Sequence, residues 1–417
     1  MTKLLHLLFV FLLPYELLWT MLFNSNTILK PYRLCGALMV ALFIYRVVTG
    51  RVQLRLDRYD KAFLFIFAWS FMLVIFWSIV HGRVDYEMAI RSTILEAFGL
   101  FSVIIIKCEL KHIEEMDSLW WAFCLGTLTA SLIAVVAGGP TETLRFTGLY
   151  ENPNSLSFSA VACILFLVMH FLVNLRKSRL FSILKLACIA SFLYFLIQSG
   201  SRTGLLALPP CLLLVLFFTP KNASSQSKRN PLLLLVLVGS VAFAGIYILN
   251  ESKKSNRALE RLEWKHSKSS SGRLDIWRNA WNVAQAHYFF GAGTDQYRVY
   301  HKEYIKKLDH VYDDRVAKLE LTAHSEYLNL LVSGGAICLF LYLALLFGIA
   351  KNAFSNVNKR FPPLASLYVP LPVLALIFIS QIATVLTQAP FYFLILALIS
   401  VGCNAYKDNA ANSKETT

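Results

Sequence analysis

Charged residues are scarce in this sequence, and their scarcity argues against a soluble globular protein. Only 16% of the 417 residues are Asp, Glu, Lys or Arg, whereas soluble domains average about 25%. Hydrophobic residues make up 57% of the chain, and the mean hydropathy is +0.55. The composition therefore predicts a membrane protein.

Cysteine pairs and nucleic-acid-binding motifs are also lacking. The eight cysteines lie in or beside apolar runs, and none falls in the long polar segment 250–323. Without a CxxC spacing, the pattern indicates neither a disulfide framework nor a zinc site. The sequence has no helix-turn-helix or zinc-finger pattern, so the net charge of +15 does not indicate a nucleic-acid partner.

Apolar runs long enough to cross a bilayer recur along the whole chain. A membrane helix needs roughly 17–25 predominantly apolar residues. Twelve runs approach or meet this length, at 4–22, 33–49, 61–81, 89–107, 118–137, 156–174, 181–199, 203–218, 231–249, 324–350, 366–383 and 388–404. The sequence therefore predicts an all-α polytopic membrane protein with about twelve transmembrane helices and one large, mainly helical loop.

The first apolar run resembles a signal peptide in length and position but differs from one in detail. It has no small-residue cleavage site after its core, and Pro14, Tyr15, Glu16 and Trp19 interrupt it. We therefore expect run 4–22 to be an uncleaved first helix.

Lys and Arg in the connections predict the orientation of the chain. With the N-terminus in the cytoplasm, the loops on that side hold 20 basic residues, whereas the short outer loops hold 6. Cytoplasmic loops of membrane proteins carry the excess of Lys and Arg. We therefore expect both termini in the cytoplasm, a membrane domain over 1–249 with about nine helices, a periplasmic loop domain over 250–323, three further membrane helices over 324–404 and a cytoplasmic tail over 405–417.

Two short outer connections carry arginines at the predicted membrane surface. Arg145 lies in the Gly/Pro-rich connection 138–157, which also contains Asn154, and Arg202 lies in the tight turn "QSGSRTG". A guanidinium at membrane depth is costly unless it meets an anion or a water-filled cavity. Each arginine either binds an anionic ligand or extends to the lipid phosphates, and the spacing leaves both readings open.

The long loop contains a predicted helix after a Ser-Ser-Ser-Gly turn. Arg273 opens this helix, and Leu274, Trp277, Trp281 and Ala284 recur at helical spacing, which predicts an apolar face resting on the membrane domain. The following "GAG" is a turn signal without the context of a dinucleotide site. The charged run 301–315 matches no standard metal-ligand spacing and indicates a solvated helix face.

His324 begins a polar turn that leads directly into an apolar run. Tyr327 follows on the same side of the turn, and Glu326 lies between the two. A histidine here either caps the helix or, with a pKa near neutrality, accepts a proton from a substrate hydroxyl.

Four polar stretches of the predicted outer face together resemble the O-antigen ligase family. The stretches are "RFTGLYENPNSLS" (145–157), "SGSRTGLLAL" (199–208), "SGRLDIWRNAW" with "YFFGAGTDQY" (271–297) and "HSEYLNLLVSGG" (324–335). The number of helices and a large loop before the third-last helix also resemble this family, which is related to O-antigen polymerases and protein O-oligosaccharyltransferases.

The resemblance implies a membrane-embedded glycosyltransferase with a GT-C-like fold. Such an enzyme takes O-antigen from undecaprenyl pyrophosphate and joins it to a hydroxyl of lipid A–core oligosaccharide at the outer face of the inner membrane. The family's essential residues correspond here to His324 as the catalytic residue and to Arg202 and Arg273 as donor pyrophosphate-binding residues. We assign Arg145 to donor binding as well, and Asn154, Glu326 and Tyr327 to substrate positioning.

We expect no metal and no cofactor, because no Asp-x-Asp motif faces outward and arginines replace the usual divalent ion. The expected partners are the lipid-linked donor, lipid A–core and membrane lipids, without nucleic acid. Two alternatives remain within the enzyme class, an O-antigen polymerase and a ligase for protein hydroxyls. A transporter or flippase is the alternative from another class, although the sequence contains no clear internal repeat of the kind many transporters have.

Overall fold

The computed structural model describes residues 2–18, 30–81, 84–110, 114–137, 146–173, 179–219, 268–287, 289–307, 323–357, 364–385, 392, 394–396 and 398–399. Every regular element within these ranges is helical. The helices are α1 (Thr2–Leu12), α2 (Pro31–Val48), α3 (Arg58–His81), α4 (Tyr86–Glu109), α5 (Glu114–Val136), α6 (Pro153–Val173), α7 (Arg179–Gln198), α8 (Arg202–Phe218), α9 (Lys268–Ala286), α10 (Tyr297–Tyr304), α11 (Glu326–Val357), α12 (Ala365–Tyr368) and α13 (Pro370–Gln381).

Seven helices among the described residues are long and apolar enough to cross a membrane, namely α2 to α7 and α11. They coincide with seven predicted runs, so the polytopic membrane class is confirmed. Runs 203–218 and 366–383 form the shorter helices α8, α12 and α13. Run 231–249 lies outside the described residues, as does most of 388–404. The total of twelve spans and the domain boundaries therefore stay predictions.

The first apolar run is not the single helix that we expected from the sequence. Within residues 2–18, α1 ends at Leu12 and the chain turns. Pro14 explains the interruption, since a proline inside a helix lacks a hydrogen-bond donor and clashes with the preceding turn. After the turn, Leu17 N donates to the carbonyl of Leu149 at 2.8 Å, which ties the chain to the stretch before α6.

Helix α6 forms the centre of the membrane bundle. In its candidate span, 94% of the residues are buried, whereas other spans have only 22% to 56% of their residues buried. It packs against α7, α8 and α13. Small residues allow the close approach to α8, because a side chain at Gly204 would overlap the hydroxyl of Ser157. This packing fixes the first residue of α8, Arg202, relative to the start of α6.

Helix α11 is broken near its first third. Gly335 has φ 70° and ψ −170°, which is not a helical conformation. Such a positive φ is easily adopted only by glycine. The break divides the helix into a short segment that begins at Glu326 and a longer segment that continues through the bundle to Val357.

Helix α9 begins at Lys268, so Arg273 lies inside the helix and not at its start as the sequence predicted. The helix packs against α11 and α10 with only part of the predicted apolar face, since Ala284 is buried and Trp277 partly buried in the cluster shared with α11. Leu274 and Trp281 are 48% and 46% exposed, so the predicted contact of these two residues with the membrane domain is wrong. The buried face includes Asn279, whose amide donates to the ring Nδ1 of His301 at 2.7 Å and contacts Tyr297. Because Asn279 makes these polar contacts to α10, the buried face of the helix is shifted from the predicted apolar face.

Candidate functional site

Two of the four polar stretches meet where α7 ends and α8 begins. Phe146 N donates to the carbonyl of Gln198 at 3.2 Å. The Ser201 hydroxyl donates to Oδ1 of Asn154 at 3.0 Å. Asn154 therefore lies next to the residue that precedes Arg202, and its side-chain oxygen holds that turn in place. Arg145 lies outside the described residues.

Arg273 comes to Arg202 from the separate loop helix α9. Both arginines are partly buried. Burial lowers the pKa of Arg273, and the positive charge of Arg202 lowers that pKa further. An electrostatic effect of one guanidinium on the other requires that the two lie near each other. The fold thus brings together two of the three arginines that the motifs predicted as anion-binding residues.

His324 completes this basic group from the start of α11. Its backbone has a positive φ of 49°, a conformation that is uncommon for a residue other than glycine and that is often found at functional sites. Burial lowers the pKa of His324 below its usual 6.5, and the charges of Arg273 and Arg298 lower it further. The ring is therefore neutral at physiological pH, which is the form that can accept a proton.

Arg298 is a fourth basic residue of this group that the sequence reasoning missed. It lies in α10, and its Nε is 3.6 Å from Oδ1 of Asp295. Asp295 in turn accepts a hydrogen bond from the hydroxyl of Ser92 at 2.9 Å, and its own φ is 56°. The sequence does contain a signal for this pair. Asp295 and Arg298 are three residues apart, shortly after the "GAG" turn, and an acid and a base at this spacing can pair on one helix face.

Glu326 and Tyr327 differ in their surroundings. Glu326 is fully buried and lies within electrostatic reach of Glu96. The Tyr327 hydroxyl donates to the carbonyl of Phe378 in α13 at 3.1 Å, and its ring packs against the membrane core. Tyr327 thus joins two helices, and its hydroxyl is already used in that contact.

Glu96 is a second residue that the sequence reasoning missed. It lies in the middle of α4, and the negative charges of Glu326 and Asp295 act on it. An ionisable residue within a membrane span indicates a functional site more often than a structural one. Glu96 lines a cavity of about 50 Å³ with other residues of α3, α4, α11 and the segment between α9 and α10: Phe63, Ile66, Phe67, Ser70, Leu100, Thr294, Asp295, Asn329, Leu330, Ser333 and Tyr342.

Residues 186–343 match a protein-family model described as O-Antigen ligase. The resemblance is therefore confirmed over the three motifs that lie within these residues, whereas the motif 145–157 precedes them. No curated protein matches the chain.

The O-antigen ligase domain begins inside α7 and ends inside α11. It contains the whole basic group of Arg202, Arg273, Arg298 and His324, whereas Asn154 and Glu96 precede it. The chain is thus a membrane protein that contains an O-antigen ligase domain over residues 186–343.

Proposed function

We propose that this protein is an O-antigen ligase. It transfers O-antigen polysaccharide from undecaprenyl pyrophosphate to a sugar hydroxyl of lipid A–core at the periplasmic face of the inner membrane. The observation that carries this proposal is the convergence of Arg202, Arg273 and His324 from three separate parts of the chain. A group of positive charges beside a neutral histidine suits a pyrophosphate donor and a hydroxyl acceptor.

The arginines bind the pyrophosphate of the donor. Breaking the bond between the anomeric carbon and pyrophosphate leaves negative charge on the phosphate oxygens. Guanidinium groups donate two parallel hydrogen bonds in a fixed geometry, which both orients such oxygens and stabilises their charge. Fixed positive groups placed where charge develops are often the largest contribution to catalysis. Arg202 and Arg273 have this role, and Arg298 adds to the same field.

His324 accepts the proton of the acceptor hydroxyl. The hydroxyl oxygen forms the new bond to the anomeric carbon, the bond to pyrophosphate breaks, and the proton moves to a ring nitrogen of His324. A positioned base of this kind contributes roughly 10²–10⁴-fold to the rate. The positive neighbours that lower the pKa of His324 are neutralised when the anionic donor binds, so donor binding makes the ring a stronger base.

The remaining candidates have positioning roles in the proposed reaction. Asn154 holds Ser201 and through it the turn that carries Arg202, and Glu326 contributes negative charge near the start of α11. Arg145 belongs to the same motif as Asn154, and we propose that it too contacts the donor. We expect the reaction to need no metal, because the arginines stabilise the leaving group.

The site faces the periplasm in this proposal, and both termini lie in the cytoplasm. The count of basic residues in the connections supports this orientation. A reporter that is active only in the periplasm should give signal when fused near residue 268 and none when fused near Lys359. Signal from a fusion at Lys359 would contradict the orientation.

An O-antigen polymerase is the second candidate. The same basic group would bind the same donor, and a second O-antigen unit would supply the acceptor hydroxyl. A ligase for protein hydroxyls differs likewise only in its acceptor. The broken α11 and the intramembrane Glu96 are features that transporters share, but transporters usually carry such features in paired repeats, and the described residues contain no second helix with this break.

The lipopolysaccharide of a deletion strain separates these candidates. Loss of all polymer from lipid A–core is the result expected for a ligase. A single attached repeat unit would identify a polymerase, and unchanged lipopolysaccharide would contradict both. Complementation of the deletion strain with the Arg202→Ala variant is the matched control. This variant should insert into the membrane normally but fail to restore the polymer.

A further inference from the structure

A segment between α9 and α10 lies beside the middle of membrane helix α3. Trp77 Nε1 donates to the carbonyl of Gly291 at 2.6 Å, and Thr294 N donates to the carbonyl of Ser70 at 3.2 Å. Trp69 is the middle residue of the candidate span 58–80, and its ring lies 6.1 Å from that of Phe290. Helices rise 1.5 Å per residue, so the segment follows α3 from Trp77 over about 12 Å to the middle of the span.

The backbone of this segment is paired with the broken part of α11. Ala292 N donates to the carbonyl of Val332 at 2.6 Å, and Gly293 N donates to the carbonyl of Ser333 at 2.9 Å. At the break itself, Trp69 Nε1 donates to the carbonyl of Gly334 at 3.3 Å. Irregular backbone at membrane depth is tolerated only where protein satisfies its polar groups. These contacts meet that condition.

Two glycines allow the close approach of the segment and α11. A side chain on Gly335 would overlap the carbonyl of Phe289, and one on Gly291 would overlap the backbone nitrogen of Gly335. Both glycines have positive φ values, 84° for Gly291 and 70° for Gly335. Any other residue at either position would therefore push the segment away from the bundle.

The side chains of Phe289 and Phe290 continue the exposed apolar surface of α3. They are 67% and 54% exposed, although the residues that directly follow them, 291–297, are buried. The exposed apolar side chains of α3 on this side include Phe65, Met72 and Phe76. In a membrane-spanning helix such side chains face lipid, so the two phenylalanines lie on a lipid-facing surface.

We propose that residues 289–296 form a re-entrant segment that enters the bilayer beside α3, with Phe289 and Phe290 in contact with lipid acyl chains. The segment separates lipid on one side from the cavity beside Glu96 on the other, to which Thr294 and Asp295 contribute. Its membrane position is inferred from the α3 contacts alone and does not depend on the proposed function.

The re-entrant segment also anchors the residues on either side of it. Arg273 lies in the helix before the segment, and Arg298 lies in the helix after it. Anchoring the segment in the acyl region therefore restricts where both arginines can lie.

Spin labels measure the depth of the segment directly. Single cysteines are introduced at Phe290, Met72, Ile79 and Gln285 in a variant without native cysteines, which is labelled and reconstituted in phospholipid vesicles. Met72 and Ile79 are exposed positions at the middle and the end of α3, and Gln285 is exposed on α9. We expect the label at 290 to be accessible to oxygen and shielded from a water-soluble nickel chelate, with a depth close to that at 72 and greater than that at 79. Accessibility to the chelate equal to that at 285 would overturn the proposal.

A second measurement uses the native protein and therefore does not depend on the folding of a variant. A lipid-soluble carbene reagent is activated in proteoliposomes, and the modified residues are identified by mass spectrometry. We expect modification of Phe289 and Phe290 at the level of Met72, and none of Lys302 or Glu303, which are exposed on α10. Modification of the two phenylalanines only at the background level of Lys302 would also overturn the proposal.

Discussion

The positive charge of Arg202, the first residue of α8, lowers the pKa of Arg273, which lies in the separate helix α9. Holding two guanidinium groups near each other costs free energy, because like charges repel. An anion bound beside both groups is stabilised by each of them. Since arginine does not lose its proton at physiological pH, this arrangement favours a multiply charged ligand such as a pyrophosphate.

The first prediction concerns the geometry of the two arginines. Arg202→Lys and Arg273→Lys should each lower transfer at least about tenfold, because a lysine keeps the charge but lacks the planar fork that grips two phosphate oxygens. The measurement is polymer transfer from a lipid-pyrophosphate donor by purified protein in vesicles. Arg278→Lys, on the exposed side of the same helix, is the matched control and should leave transfer unchanged. Full activity of both site variants would contradict this prediction. It would show that the two positions need only a positive charge or that the arginines contact membrane lipid.

The second prediction concerns Arg298 and the pH dependence of transfer. The pKa of His324 lies below 6.5, and Arg298 contributes to this lowering. The neutral ring is the active form, so kcat/KM should fall only as the pH drops through this lowered value. Removing the charge in Arg298→Ala raises the pKa of His324, and the acid limb should move to higher pH. Lys302→Ala, which removes an exposed charge from the same helix, should not move it. An unchanged acid limb in Arg298→Ala would show that Arg298 does not act on His324.

The sequence predicted the membrane class and singled out Arg202, Arg273 and His324, which the fold brings together, because the patterns behind these predictions are local. Apolar runs of sufficient length gave seven long helices, and a turn containing Gly200 places Arg202 at a helix start. The missed features depend on contacts between distant segments. Arg298 gains its position from the bond of Asp295 to Ser92, and the exposure of Trp281 follows from the bond of Asn279 to His301.

The break in α11 was missed for a related reason. "SGG" within an apolar run is compatible with a continuous membrane helix, in which glycine is common. The break exists because the loop segment approaches Gly335 and supplies hydrogen bonds to the carbonyls of Val332 and Ser333. No local pattern near residue 335 specifies that partner.

The third prediction tests the close approach of Gly291 and Gly335. Gly291→Ala and Gly335→Ala should each reduce the yield of folded protein strongly, because the added methyl group overlaps backbone atoms. Gly50→Ala is the matched control, since Gly50 also has a positive φ, of 69°, but no atom lies within 4 Å of the added carbon. This control carries only the backbone strain of about 1–2 kcal/mol. Thermal unfolding in detergent measures the difference, and equal losses in all three variants would show that the approach is not tight.

The fourth prediction concerns metal ions. Purified protein treated with EDTA should keep its transfer activity, because guanidinium groups stabilise the leaving pyrophosphate. Restoration by Mg²⁺ or Mn²⁺ after complete loss in EDTA would contradict this expectation. Asp313 and Asp314, which lie outside the described residues, would then become candidate ligands.

The most direct test of the proposed chemistry compares transfer and donor binding in His324→Ala and His324→Gln. A base acts on the acceptor proton in the transition state, whereas the arginine contacts already exist in the bound donor. We therefore predict that both histidine variants lose transfer, yet bind the lipid-pyrophosphate donor nearly as well as the native protein. Arg273→Ala should instead weaken donor binding as well as transfer. Glutamine can hold a hydrogen bond but cannot take the proton, so near-native transfer by His324→Gln would contradict the role of His324 as the base.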